Sequence, residues 1–126
     1  MMGVRLSLGP LKSIILDTNF LVYVLEFKID LFAELDRVIP SGYKAKILDR
    51  TINELEKLAV KNVYAKIALG LLDKFEVIKT SGDNVDDMLV EMQGNDVIIG
   101  TQDRELKNRL ECAKLIIRQK KYLALV

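Results

Sequence analysis

Short apolar runs alternate along the chain with segments whose apolar residues fall three and four apart. Ser13 to Leu16 carries Ile14-Ile15-Leu16, and Tyr43 to Leu48 carries Ala45, Ile47 and Leu48. Phe75 to Lys79 alternates, Asp96 to Gly100 contains Val97-Ile98-Ile99, and Ala113 to Ile117 is a fifth run. These lengths and near-continuous apolar contents predict strands buried on both faces. Between them lie helical patterns. Thr18 to Glu26 is apolar at Phe20, Leu21, Val24 and Leu25. A segment capped by Asp30 repeats at Leu31, Phe32, Leu35 and Val38 and stops at Pro40-Ser41-Gly42. Asp49 to Val60 shows Ile52, Leu55, Leu58 and Ala59. A segment opened by Asn62 shows Val63, Ile67, Leu71 and Leu72 as its buried stripe. Val85 to Met92 and Arg104 to Leu110 complete the set, separated by turns at Ser81-Gly82-Asp83-Asn84 and Gly94-Asn95.

Strands alternating with helices predict a parallel sheet covered on both faces. Residues 1–126 read as a single domain, with residues 1–12 as a tail leading into the first strand and Tyr122 to Val126 as a short extended tail. A chain of 126 residues is long enough for a real core.

Charge changes this picture only in its distribution. The formal net charge is +1, yet Thr80 to Asp103 holds six acids and no Lys or Arg, whereas Arg104 to Lys121 holds seven basic residues against Glu105 and Glu111. An acidic block beside a basic one suits a cation pocket flanked by a phosphate-binding surface; two solvated helix faces would show the same charges. One cysteine, Cys112, excludes an internal disulfide and fits a reducing compartment. No apolar run reaches membrane-spanning length, and the N-terminus lacks a signal-peptide core, so the expectation is a cytoplasmic protein without membrane association.

The chemistry narrows by elimination. With no histidine there is no Ser-His or Cys-His nucleophile pair and no HExxH zinc site, and one cysteine cannot build a thiolate site. None of the seven glycines has dinucleotide or Walker spacing. Carboxylates remain, and they suit hard cations such as Mg²⁺ or Mn²⁺. Acids stand where strands end or helices begin: Asp17, Glu54, Asp86 and Asp87, and Asp103. Asp17 and Asp103 could equally be helix N-caps, Glu54 a solvated partner of Lys57, and one of Asp86 and Asp87 only a cap. Gathered at one sheet edge, however, such a set repels itself unless a cation neutralises it.

The successive segments Leu16-Asp17-Thr18-Asn19-Phe20-Leu21, Asn53-Glu54-Leu55, Val85-Asp86-Asp87-Met88-Leu89 and Thr101-Gln102-Asp103-Arg104-Glu105-Leu106 resemble the ordered motifs of PIN-domain (PilT N-terminus) nucleases. The likeness runs from about Ser13 to the C-terminus. The tail Ile116-Ile117-Arg118-Gln119-Lys120-Lys121-Tyr122-Leu123 resembles the archaeal branch related to small-subunit rRNA-processing PIN proteins more than VapC toxins. The resemblance implies a Rossmann-like three-layer α/β/α sandwich around a five-stranded parallel sheet. It implies Mg²⁺- or Mn²⁺-dependent hydrolysis of phosphodiester bonds in single-stranded RNA, in rRNA processing or ribosome biogenesis.

Carried over by position, the catalytic acids are Asp17, Glu54, Asp87 and Asp103. Asp17, Asp87 and Asp103 are the metal ligands, Glu54 helps hold a second metal or positions water, and Asp86 is the alternative third acid. Asn19 and Thr101 orient carboxylates or water. Arg104, Lys107, Arg109, Lys114, Arg118, Lys120 and Lys121 are candidates for the RNA backbone track, and Tyr122 is read as edge packing before base stacking. The resemblance leaves open a homodimer, to which Phe27, Ile29 and Phe32 could contribute, and a ribosomal precursor or an antitoxin as partner. Two other readings stand beside the nuclease: a non-catalytic RNA-binding assembly module, and a VapC-type toxin ribonuclease. Asn19 in place of a second acid excludes the DxD phosphatase motif, and Thr80-Ser81 after the third strand excludes a response-regulator receiver.

Overall fold

A computed structural model describes residues 11–126. The reading of residues 1–12 as a tail falls almost wholly outside these residues. Lys12, its last member described in full, already belongs to the first strand. The elements follow the order β1 (Lys12–Leu16), α1 (Thr18–Glu26), α2 (Leu31–Val38), β2 (Tyr43–Leu48), α3 (Asp49–Leu58), α4 (Val63–Leu69), a 3₁₀ turn (Leu72–Lys74), β3 (Glu76–Ile78), α5 (Val85–Met92), β4 (Val97–Gly100), α6 (Arg104–Arg109), β5 (Ala113–Arg118) and β6 (Tyr122–Leu125). Among the described residues no helix is long and apolar enough to cross a membrane.

The sheet has six strands in the order β3-β2-β1-β4-β5-β6. β1 lies at its centre, paired in parallel with β2 and β4, while β3 and β5 extend the parallel ladder on either side. The period of two along each strand divides the core. Ile14 and Leu16 of β1 and Ile98 of β4 pack on one face with Phe20, Leu21, Leu35, Leu55, Ala65 and Ala68, which belong to α1 through α4. Ile15 and Ile99 pack on the other face with Leu89 of α5 and Leu106 of α6. The α/β/α sandwich is therefore the observed class, with four helices on one side and two on the other.

Two expectations are corrected. The segment Tyr122 to Val126 is not an extended tail. Tyr122–Leu125 forms β6, antiparallel to β5 with Ile117 opposite Leu123, so the sheet is mixed and six-stranded, not five-stranded and parallel. The hairpin between them turns through Gln119 and Lys120, both left-handed at φ 54° and 55°, with Lys121 N–H donating to Arg118 C=O at 3.0 Å. Such a turn ordinarily announces itself by Asn-Gly, which this chain lacks. The outer edge of β6 is covered by α2: Arg37 Nη2 donates to Leu123 C=O at 2.6 Å, and Leu123 N–H donates to Glu34 Oε1 at 2.9 Å. Two side chains thus satisfy the backbone where another strand would pair. In α4, the buried face is Ala65 and Ala68, whereas Val63 and Ile67 are exposed, at 59% and 47%. Small residues let this helix approach α1 and α3 closely, and close approach outweighs the larger side chains' apolarity.

Gly100 ends β4 beside the strand end that matters most. A Cβ there would stand 2.7 Å from Leu16 Cδ2 and 3.3 Å from Phe20 Cε1, and both neighbours are fully buried. Gly100→Ala is predicted to lower unfolding free energy by about 1–3 kcal/mol through overpacking. Urea denaturation tests this; an unchanged midpoint would show that Leu16 can turn aside freely.

Candidate active site

The strand order reverses between β1 and β4: from β1 the chain builds outward through β2 and β3, then returns to place β4 on the other side. In open α/β sheets the carboxyl ends at such a point form a crevice. Here the ladder continues past the strand ends, because Asp17 N–H donates to Gly100 C=O at 2.9 Å and Thr101 N–H to Leu115 C=O at 3.2 Å. Asp17 and Thr101 are therefore fixed by the sheet itself.

Asp17 caps α1. Its Oδ1 accepts from Thr18 N–H at 2.9 Å, and its Oδ2 accepts from the hydroxyl of Thr101 at 3.2 Å. The same Thr101 oxygen accepts the N–H of Asp103 at 3.1 Å. Thr101 is fully buried, so one hydroxyl joins the two acids. Asp103 caps α6 through Oδ1, which accepts from Glu105 and Leu106 N–H at 2.8 and 3.2 Å. Capping occupies one oxygen of Asp103 and leaves Oδ2 available. Cap and ligand are thus compatible roles for a carboxylate, whose two oxygens offer about four acceptor sites.

Glu54 reaches the same region from α3. Its Oε1 accepts from Thr18 Oγ1 at 3.1 Å, and Thr18 Oγ1 also lies 3.1 Å from Thr51 Oγ1. Both threonines are buried. Neither was singled out from the sequence, although Thr51 stands one helical turn before Glu54 and Thr18 directly after Asp17.

The two candidates for the third acid differ in burial and in charge environment. Asp87, the acid carried over by the resemblance, is exposed and paired with Arg109 Nη2 at 2.6 Å. Asp86 is half-buried. Burial is the main cause that raises its pKa, and the charge of Asp103 adds to it. Burial also raises Asp17, against the lowering effect of the Thr101 and Thr18 hydrogen bonds, and the charges of Asp86 and Glu54 raise it further. Asp86 therefore shares a field with both Asp17 and Asp103. The cap of α5 is neither acid but Asn84, whose Oδ1 accepts from Asp87 N–H at 2.9 Å. The loop before it is tied to α3: Asp49 accepts from Thr80 Oγ1 at 2.5 Å and Thr80 N–H at 3.1 Å, and Arg50 donates to Gly82 and Asp83 carbonyls.

A cleft of about 220 Å³ opens on Asp17 and Asp103 and is completed by Asn19, Tyr23 and Gln102. Of the basic candidates, Arg109 is committed to Asp87. Arg104, Arg118, Lys120 and Lys121 are exposed, Lys107 and Lys114 are half-buried, and Lys114 Nζ donates to Cys112 C=O at 3.3 Å. Tyr122 lies in β6 with Arg37 over its ring at 5.9 Å, as edge packing requires. Ile29 is buried in the core and Phe32 packs against Phe75, so those two residues serve this chain's own interior.

Residues 14–120 match the family model of the PIN like domain. The chain belongs to the PIN-like domain family. This PIN-like chain is 28% identical over 122 residues to Ribonuclease VapC4 of Methanocaldococcus jannaschii, across 87% of its own length and 93% of that protein's. It is 36% identical over 110 residues to the rRNA-processing protein fcf1 of Schizosaccharomyces pombe, across 82% of its own length; it spans 56% of that longer relative. Its fold matches the PIN domain endonuclease Utp24 with a TM-score of 0.77 at 30% identity, covering 94% and 93% of the two chains.

The donor set of this PIN-like domain fits a hard divalent cation in kind, being wholly carboxylate oxygen. Among the described residues no three such side chains already stand as a ready-made cage. The acids instead lean on threonine hydroxyls and helix N–H groups, and a cation would draw on their remaining oxygens.

Raised carboxyl pKa values carry a sign. A group that binds its proton more tightly when folded lowers stability as pH rises through the window between its unfolded value, 3.8 for Asp17 and Asp86, and its higher folded value. Above that window the ionised pair opposes folding. Asp17→Asn keeps a capping oxygen and removes the charge. It is predicted to melt above wild type at pH 7, with the gap narrowing toward pH 4. Differential scanning calorimetry across pH checks this; a lower melting point at pH 7 would show that the negative charge itself supports the fold.

Proposed function

We propose that this PIN-like domain is a divalent-metal-dependent endoribonuclease that hydrolyses phosphodiester bonds in single-stranded RNA. The observation that carries the reading is the hydrogen-bonded set at the β1–β4 crevice: Thr101 joins Asp17 to Asp103, and Thr18, next to Asp17, holds Glu54. We assign Asp86 as the third acid in place of Asp87.

Four carboxylates would repel a phosphodiester approaching them, so the site suits its substrate only with a cation present. Asp17, Asp86 and Asp103 would hold Mg²⁺ or Mn²⁺. Bound there, the cation supplies a lowered pKa for water and charge neutralisation on phosphate oxygens. The chain does the rest. Thr101 fixes Asp17 and Asp103 relative to each other, so the donors are placed before substrate arrives. Thr18 orients Glu54 through Oε1 and leaves Oε2 to hold a water and accept its proton. Asn19, exposed in the lining of the cleft, can donate to a phosphate oxygen or a bound water. Arg104 and the Arg118–Lys121 turn offer exposed positive charge for the flanking phosphates.

The similarity to fcf1 supports a place in rRNA processing or ribosome biogenesis, with a ribosomal precursor as substrate. A second context is favoured by one observation: Ribonuclease VapC4 is matched over 93% of its length, which supports a compact ribonuclease held by an antitoxin. A small protein that co-purifies stoichiometrically and inhibits cleavage would select that context.

Cleavage of a labelled single-stranded RNA in Mn²⁺ or Mg²⁺ tests the assignment. Asp17→Asn and Asp86→Asn are predicted to lose about 100-fold or more, as for loss of a group acting on transition-state charge. Asp87→Asn should stay within about tenfold of wild type, and EDTA should abolish cleavage. Mn²⁺ should raise the melting temperature of wild type and leave Asp17→Asn unmoved. Loss of activity in Asp87→Asn with Asp86→Asn active would return the role to Asp87. Full activity in Asp17→Asn would remove the mechanism.

A further inference from the structure

The acidic cleft does not end at the acids. Tyr23 and Gln102, which help line it, also line a larger groove of about 510 Å³ with Phe27, Ile117, Gln119 and Lys120. Asn19, Tyr23 and Phe27 recur every four residues, so they form one stripe along α1 and its C-cap, with about 6 Å between successive members. The stripe leads from the carboxylates into the groove. Tyr23 is 40% exposed and stacks on Phe27 with ring centroids 5.8 Å apart and planes 5° from parallel. Lys120 Nζ lies over the Phe27 ring at 5.6 Å.

An exposed tyrosine would ordinarily be unremarkable. This one sits in a pre-stacked pair beside a lysine and shares its cleft with the proposed reaction centre. Gln102 adds direction. Its Oε1 accepts the N–H of Ile117 at 2.8 Å, so this amide oxygen is fixed by a donor and the NH₂ group retains two hydrogens to offer. The turn that brings Lys120 to the groove keeps both Gln119 and Lys120 at positive φ, where glycine or asparagine would be more comfortable. Side chains are present at a position where backbone preference alone would remove them.

We propose that this groove is a nucleobase subsite, in which an unpaired base of the RNA, next to the phosphate at the acids, stacks on the Tyr23–Phe27 pair. Gln102 donates to the base edge or its flanking phosphate, and Lys120 holds the strand's backbone. Base stacking on aromatic side chains is the general means of binding single strands, and a base held in a duplex is not free to enter such a groove. The subsite would therefore make the nuclease select unpaired RNA. It rests on the proposed function for its substrate, and it assigns specificity to residues outside the acid set.

The test reads binding and cleavage separately. Affinity for a fluorescein-labelled single-stranded RNA dodecamer is measured by anisotropy in Mn²⁺ on a Glu54→Gln background, so that the cation is present and turnover is suppressed. Tyr23→Ala is expected to weaken binding at least about fivefold, the loss of one stacked base, with Tyr23→Phe restoring it. Binding to an RNA duplex should not change. Lys120→Gly should weaken binding and flatten its salt dependence while its melting temperature stays at or above wild type, because glycine suits the turn. The Glu54→Gln protein should prefer the intact dodecamer over one carrying abasic positions beside the cleavage site. Unchanged single-strand affinity in Tyr23→Ala would overturn the subsite, as would equal losses for duplex and single strand. So would a change of oligomeric state in Tyr23→Ala, which would make the pair a protein interface. If Tyr23-dependent binding is found without cleavage by wild type in Mn²⁺, the groove stands and the nuclease reading falls; cleavage that is indifferent to Tyr23 gives the converse.

Discussion

A single buried hydroxyl holds the arrangement together. Thr101 donates to Asp17 and accepts from the backbone of Asp103, and it sits where the ladder of β4 runs out. Mutual repulsion would otherwise separate the carboxylates at this crevice, since burial and neighbouring acids both disfavour the charge on Asp17. The sheet counters this by fixing backbone positions on both sides: Gly100 C=O receives Asp17 N–H, and Leu115 C=O receives Thr101 N–H. The carboxylates of Asp17, Asp103 and Glu54 each accept from an N–H or O–H donor, a bond that their charge strengthens. N–H and O–H donors offset part of the cost of gathering like charges, and burial still leaves the Asp17 pKa raised.

The distribution of helices follows from the same crevice. Four helices cover the face of the sheet that carries Ile14, Leu16 and Ile98, and only α5 and α6 cover the other. The acids arrive from both layers. Asp17 and Glu54 come with α1 and α3, Asp86 and Asp103 with α5 and α6. Gly100 permits Leu16 and Phe20 to fill the space beneath the strand end without displacing Asp17. On the far side, Asp49 and Arg50 at the start of α3 hold the loop that leads into α5. The position of Asp86 therefore depends on an element in the opposite layer.

Much of this was legible in the chain. Apolar runs ending in Asp17 and near Asp103 marked two strand ends, and the absence of histidine with a lone cysteine left carboxylates as the chemistry. The helix bounds of α1 and α5 and the strand bounds of β2 fell where pattern and caps placed them. What was not legible depends on tertiary context. Adjacent aspartates 86 and 87 have the same local signals, and their different burial and the pairing of Asp87 with Arg109 are visible only in the fold. β6 was hidden because its hairpin turns on Gln119-Lys120 with no glycine to mark it. The stripe of α4 was misread because Ala65 and Ala68 owe their burial to close helix approach, which hydrophobicity alone does not encode.

The edge of the sheet and the groove are connected by these same departures. β6 exists because α2 offers Glu34 and Arg37 to Leu123, closing an edge that would otherwise be open. Arg37 lowers the pKa of Glu34, and the Leu123 N–H lowers it further, so the bridge is charged at neutral pH. With β6 held, the β5–β6 turn has a fixed origin, and Lys120 is carried to Phe27 at the end of α1. Without β6, residues 118–121 would have no reason to stand beside Tyr23. The strand least visible in the sequence is thus what sets one wall beside the acidic cleft. It also explains why a strained turn persists there: the hairpin is fixed at both strands, and the positive φ angles are the geometry that joins them over so short a span.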